Sequence, residues 1–160
     1  MASTYTDLGI ELMATGENAG TWGTKTNANL NLIEQLTGGF ATLSIAGGAG
    51  NQDLDVDDGA LTGTAQQRII EFTGSITGNR IITIPKDVET FYILKNSTSG
   101  AYTVQFKYAT GSGSSTTFSA TDKGIKTVYA SANDGTNPDI VDVMANSSEI
   151  ALTNSNPIKF

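Results

Sequence analysis

The chain has 160 residues, a net charge of −7 and neither cysteine nor histidine. Those two gaps exclude disulfides, thiolate metal sites and the commonest general base, while nine scattered Lys and Arg against sixteen acids argue against nucleic-acid binding. Only 16% of residues are charged, and the polar remainder is rich in Thr, Ser, Asn and Gly, which favours a strand-rich protein with many turns over a helical enzyme.

At the N-terminus, residues 1–7 carry neither the basic region nor the apolar core of a signal peptide. No run of about 18 apolar residues offers a membrane span, so the expectation is a soluble product of a cytoplasm. Residues 8–13 alternate in character. A glycine-punctuated loop follows over 15–23, and Thr24 or Thr26 is placed to cap a short helix running to about Leu36. Leu30 with Ile33, and Leu32 with Leu36, are spaced three and four apart and give that helix an apolar face. Gly38-Gly39 is its stop. Trp22, the single tryptophan, sits between Gly20 and Gly23, where it either anchors an interface or covers the helix that follows.

Residues 1–39 therefore read as an attachment or oligomerisation arm, and 40–64 as a linker with one or two strands. Within the linker, 40–46 and 52–57 alternate, separated by Gly47-Gly48-Ala49-Gly50 and closed by the turn signal Asp58-Gly59. Residues 65–145 read as a small β-domain with strands over 68–73, 80–84, 90–95, 101–108, 125–131 and 139–144. The clearest places Tyr102, Val104, Phe106 and Tyr108 on one face against Thr103, Gln105 and Lys107 on the other. Short strands joined by short loops predict a mainly β fold, an antiparallel sandwich or barrel behind one short helix. Residues 146–160 form a polar tail.

Chemistry is sparse. Asp53, Asp55, Asp57 and Asp58 superficially resemble a calcium loop, but Asp58 and Thr64 stand where that loop needs Gly and Glu. A strand with Leu54 and Val56 facing inward accounts for them better. Glu17 and Glu71 are two of many acids, and nothing selects a pair for glycoside hydrolysis. Residues 111–115, GSGSS, lack the Lys-Ser/Thr ending of a phosphate-cradling loop. The sequons at Asn96 and Asn146 are explained by composition. No catalytic residue, metal ligand or cofactor is expected.

The segment 15–30, TGENAGTWGTKTNANL, continuing through Ile33-Glu34-Gln35 to Gly38-Gly39-Phe40, resembles a signature near the N-terminus of tail-fibre-like virion proteins of tailed bacteriophages, of the marine cyanophage type. The later segments Phe72-Thr73-Gly74, Thr77-Gly78-Asn79-Arg80 and 95–104 are similar to the β-module that often follows in that family. The resemblance implies a virion structural protein assembled in the host cytoplasm, often a homotrimer, bound to other tail or capsid proteins and without enzymatic activity. On this reading Gly16, Glu17, Asn18, Gly20, Thr21, Trp22, Gly23, Leu30 and Ile33 form the assembly surface. Two other roles stay open: a capsid decoration or head-fibre protein, and a module for viral attachment that binds host surface glycans through Tyr5, Tyr92, Tyr108 or Tyr129.

Overall fold

The computed structural model describes residues 2–133 and 135–145, so the tail expected over 146–160 lies outside the described residues. A hairpin of β1 (Thr4–Tyr5) and β2 (Glu11–Leu12) precedes one helix, α1 (Trp22–Gly38). Among the described residues nine strands follow: β3 (Phe40–Ser44), β4 (Gly50–Asp53), β5 (Ile69–Thr73), β6 (Arg80–Ile84), β7 (Thr90–Asn96), β8 (Val104–Tyr108), β9 (Thr116–Phe118), β10 (Ile125–Ala130) and β11 (Ile140–Asp142). The fold is mainly β with a single helix, as expected.

The strands make two sheets. One runs β11-β10-β7-β5-β3 and the other β4-β6-β8-β9. From β3 to β8 the chain alternates between them, so neighbours within a sheet are two strands apart in sequence. Such neighbours must run parallel, and β3 with β5, β5 with β7, β4 with β6 and β6 with β8 all do. The path is three stacked coils of a two-sheet β-solenoid. Even the turns stack, Gly47 bridging Ile76 and Ser75 bridging Ser99. Ile69 lies beside Ile93 and Ile84 beside Tyr108, a constant offset of 24 residues between the second and third coils.

The expectation of an antiparallel domain is thus refined. Two packed sheets are present, but antiparallel pairing is confined to the hairpin β1–β2 and to β9, β10 and β11. The physical reason is that short connections can lead to the opposite sheet as well as back into the same one. The two strands of residues 40–53 become the outermost strands of the two sheets.

Inward side chains fill the space between the sheets. Ile70, Phe72, Tyr92 and Leu94 come from one sheet, and Ile82, Ile84, Phe106, Tyr108 and Phe118 from the other, all buried. The Phe106 ring meets Phe72 at 6.5 Å and Tyr92 edge-on at 5.4 Å between centroids, the tilted geometry that aromatic quadrupoles favour. The buried tyrosines and Asn96 of the core are hydrogen-bonded, whereas Gln35 Nε2 and Arg80 Nε are buried without a partner among the described residues. Tyr92 Oη donates to the Ala65 carbonyl, and Tyr108 Oη donates to the Val88 carbonyl while accepting from Ala132 N–H. Asn96, in register beside Phe72, accepts from the Thr98 backbone and hydroxyl and donates to the Asp122 carbonyl.

The two ends of the stack differ. At the third coil the sheets are tied together: Ile140 N–H donates to the Ser114 carbonyl, Ser114 Oγ donates to the Ile140 carbonyl, and Thr116 Oγ donates to Asp142 Oδ2 at 3.1 Å. At the first coil, β3 and β4 end their sheets with no strand beyond them among the described residues.

Candidate assembly surface

The arm is fastened to the β-body chiefly by hydrogen bonds. Gln66, fully buried, is the central fastener: its Nε2 donates to the Leu8 carbonyl at 2.9 Å and its Oε1 accepts from Asp57 N–H at 3.1 Å. Gly59 N–H donates to the Gly9 carbonyl. Gly9 has φ +76°, and a Cβ there would stand 2.6 Å from Gln66 Nε2 and 2.8 Å from the Asp57 carbonyl, so only glycine serves.

The helix is fastened to the arm through Glu11. Asn29 accepts from Glu11 N–H at 3.0 Å and donates to its carbonyl at 2.9 Å, satisfying the backbone as a strand would. Lys25 Nζ lies 2.9 Å from Glu11 Oε2, whose side chain is 4% exposed, and Asn18 Nδ2 donates to Oε1. The Lys25 ammonium holds the Glu11 carboxyl below the usual carboxylate range, with burial opposing it. The same pairing raises Lys25.

Helical spacing now separates two stripes. Lys25, Asn29, Leu32 and Leu36 share one face, and Leu32 is buried. Trp22, Thr26, Leu30, Ile33 and Thr37 share another, and Trp22, Leu30 and Ile33 are 65%, 58% and 44% exposed. The four leucine and isoleucine positions, read from sequence as one apolar face, divide between these two. The helix also begins earlier than Thr24, with Thr21 at the cap position and no side-chain capping bond. Trp22 therefore does not cover its own helix.

The loop before the helix is self-supporting. Gly16 and Gly20 have φ +82° and Asn18 φ +63°, Glu17 N–H donates to the Ala14 carbonyl, and Thr21 N–H donates to the Asn18 carbonyl. Glu17 accepts from Ser3 Oγ. Of the nine candidate residues, Gly16, Glu17, Asn18, Gly20 and Thr21 shape this loop and deliver Trp22 and Gly23 to the first turn, while Leu30 and Ile33 extend the exposed stripe.

The outer face of the five-stranded sheet adds apolar surface. Phe40, Ile69 and Ile93 stand in register across it, and Phe91 packs its ring 5.1 Å from Tyr129. Phe40 and Leu61 line a shallow cleft of about 620 Å³ with Glu34, Gln35 and Thr37 at the end of the helix. The other sheet presents Asn51, Asp53, Gln105, Lys107 and Thr117 instead.

Other candidate residues are accounted for separately. Asp55 accepts from the Thr64 hydroxyl and N–H, Asp57 from Thr62 Oγ, and Asp53 from Thr83 Oγ. The Thr64 hydroxyl and N–H hold the Asp55 carboxyl low. Leu54 is buried and Val56 packs against the core. Among the described residues no three acidic side chains converge to hold a metal ion. Glu71 pairs with Lys95 at 2.8 Å and accepts from Ser97 Oγ, whereas Glu17 belongs to the arm. Residues 111–115 pack on the following loop, with the Ser112 N–H bonded to Asn137 Oδ1. Tyr92 and Tyr108, considered for glycan contact, are core residues with negligible exposure. Sequence reasoning missed Glu11 and Gln66: a buried Glu or Gln inside a polar chain carries no local signal.

No family model, no curated protein and no solved structure matches the chain.

Proposed function

We propose that this chain is a non-enzymatic structural subunit of a bacteriophage particle, of the tail-fibre type, that assembles as a homotrimer and joins other virion proteins. The observation that carries the reading is the helix stripe of Trp22, Leu30 and Ile33, exposed although the opposite face of the same helix is fastened to the arm. An apolar stripe held rigidly in water is costly to leave bare, and contiguous apolar surface of this kind marks association sites. A three-fold bundle of such helices would bury all three residues at once, with Thr26 between Trp22 and Leu30 and Thr37 beyond Ile33. The resemblance of segment 15–30 to the tail-fibre signature supports the same surface, because that segment builds the loop and the first turns of the helix.

The test is association of the full chain. Wild-type protein is expected to sediment in multiples of three chains, and the double variant Trp22→Ser/Ile33→Asp as a smaller species with an unchanged circular dichroism spectrum. A wild-type chain whose mass never exceeds that of the double variant overturns the proposal. Detection of sugar release from host surface material by the purified chain would overturn the non-enzymatic part.

A further inference from the structure

The first coil ends the solenoid with two open strand edges at once. Ile69 N–H donates to the Gly39 carbonyl and Ile45 N–H to the Thr73 carbonyl, so alternation along β3 turns the backbone groups of Phe40, Thr42 and Ser44 away from β5. In β4, Gly50 and Leu54 donate to the carbonyls of Asn79 and Thr83, which turns Asn51 and Asp53 away from β6. Five successive outward positions in the two strands thus offer an N–H and C=O that no described residue uses. Edges of this kind are normally blunted by Lys, Pro or a bulge. Residues 40–52 contain no charged residue and no proline, although the chain as a whole carries −7.

We infer that this double edge is an interface for a second copy of the chain, docked head to head about a two-fold axis through Thr42 and Gln52. Several observations select that occupant. The far end of the stack is closed by the Ser114–Ile140 bonds and the short strands β9 and β11, so head-to-tail stacking has no matching edge. A two-fold axis perpendicular to both sheets reverses strand direction, and each edge then meets itself in antiparallel register. Thr42 and Gln52 lie five residues before and five after Gly47, the middle of the turn, so one axis serves both strands. Backbone parity agrees. In β3 the outward groups pair Thr42 with Thr42 and Phe40 with Ser44, and in β4 they pair Asn51 with Asp53. No like charges face each other in the paired register, because each Asp53 carboxylate meets the Asn51 amide of the other copy. The result is one continuous sandwich of twice the length, formed mostly by main-chain hydrogen bonds.

This pairing is separate from the helix stripe, so the test is made in the full-length Trp22→Ser/Ile33→Asp chain, where helix association is removed. That chain is expected to be a dimer. Because the axis places residue 42 opposite itself, adding Thr42→Lys opposes two cations, and adding Thr42→Glu two anions. Each is expected to give monomer, and an equimolar mixture of the two to restore dimer. The chain lacks cysteine, so a short thiol cross-linker adds a register check. Asn51→Cys and Asp53→Cys proteins should cross-link to each other when mixed far more than either does alone, and Thr117→Cys should remain uncrosslinked. A monomeric starting chain, or amides of Thr42 and Asn51 that exchange at solvent rates in the dimer, would overturn the inference. So would a Lys/Glu mixture that stays monomeric. A dimer here with wild-type protein no larger than that dimer would leave this edge standing and remove the helix reading.

Discussion

The β-body and the N-terminal arm solve the same problem in opposite ways. The body buries aromatic and branched side chains between two sheets and satisfies its interior tyrosine hydroxyls with its own backbone. The arm buries one helix residue, Leu32, and is held by Glu11, Asn29, Lys25 and Gln66, while its largest apolar side chains face water. A region whose own contacts are polar and whose apolar groups are exposed is organised for something outside itself. The difference separates stability from association, and substitutions can test that separation.

The largest loss is expected from Phe72→Ala, which removes a fully buried ring between the sheets. It should destabilise the body by about 3–5 kcal/mol in urea unfolding. A cost below about 1 kcal/mol would mean that the two sheets are not one core. Tyr108→Phe comes next. It strands the Val88 carbonyl and Ala132 N–H, at a cost of about 1–3 kcal/mol. Burial also pushes the Tyr108 hydroxyl up to about 12. A group with a raised folded pKa keeps its full contribution below its ordinary value of 10.0 and loses it as pH climbs towards about 12. Alkaline titration should therefore weaken wild type more than Tyr108→Phe.

Glu11→Gln should act locally. Exchange of helix amides is expected to quicken while the unfolding midpoint of the body barely moves. Since the folded carboxyl is held low by Lys25, its contribution is complete above the ordinary glutamate range and disappears as pH falls through the depressed value. Acid should free the helix before the body unfolds. The smallest effect on stability belongs to Trp22→Ser, within about 0.5 kcal/mol for the unassociated chain, although the same change should abolish helix-mediated assembly. If Trp22→Ser instead unfolded the isolated chain, the contrast between arm and body would be lost.

Much of the strand inventory was legible in sequence. The 80–84 strand has the expected bounds, and Val104, Phe106 and Tyr108 are buried as the alternation required, whereas Tyr102, expected on the same face, precedes β8 and is exposed. The partners of those strands were not legible, because alternation tells which side chains point inward and not which strand lies alongside. The 24-residue register is masked by chemistry: Phe72 is matched by Asn96, Ile82 by Phe106 and Ile84 by Tyr108. Similar volumes or satisfied polar groups occupy equivalent places without similar letters. β9 escaped notice because Thr116 and Thr117 lie in a run of Ser and Thr that reads as loop. In the candidate surface, the segment was legible but its division was not. Leu30 and Ile33 differ from Leu32 and Leu36 only in which helix face the Glu11 fastening happens to cover.

The constant offset between the second and third coils also makes length an adjustable property. Each 24-residue turn of the path delivers the chain to the same lateral position one strand spacing further on, about 4.8 Å along the stack. A duplicated turn inserted there would leave both terminal structures with their own neighbours, provided its Asn96 equivalent reverts to an apolar residue that needs no Asp122 carbonyl. Reach can then be tuned in discrete steps, like adding links to a chain, without redesigning what either extremity holds.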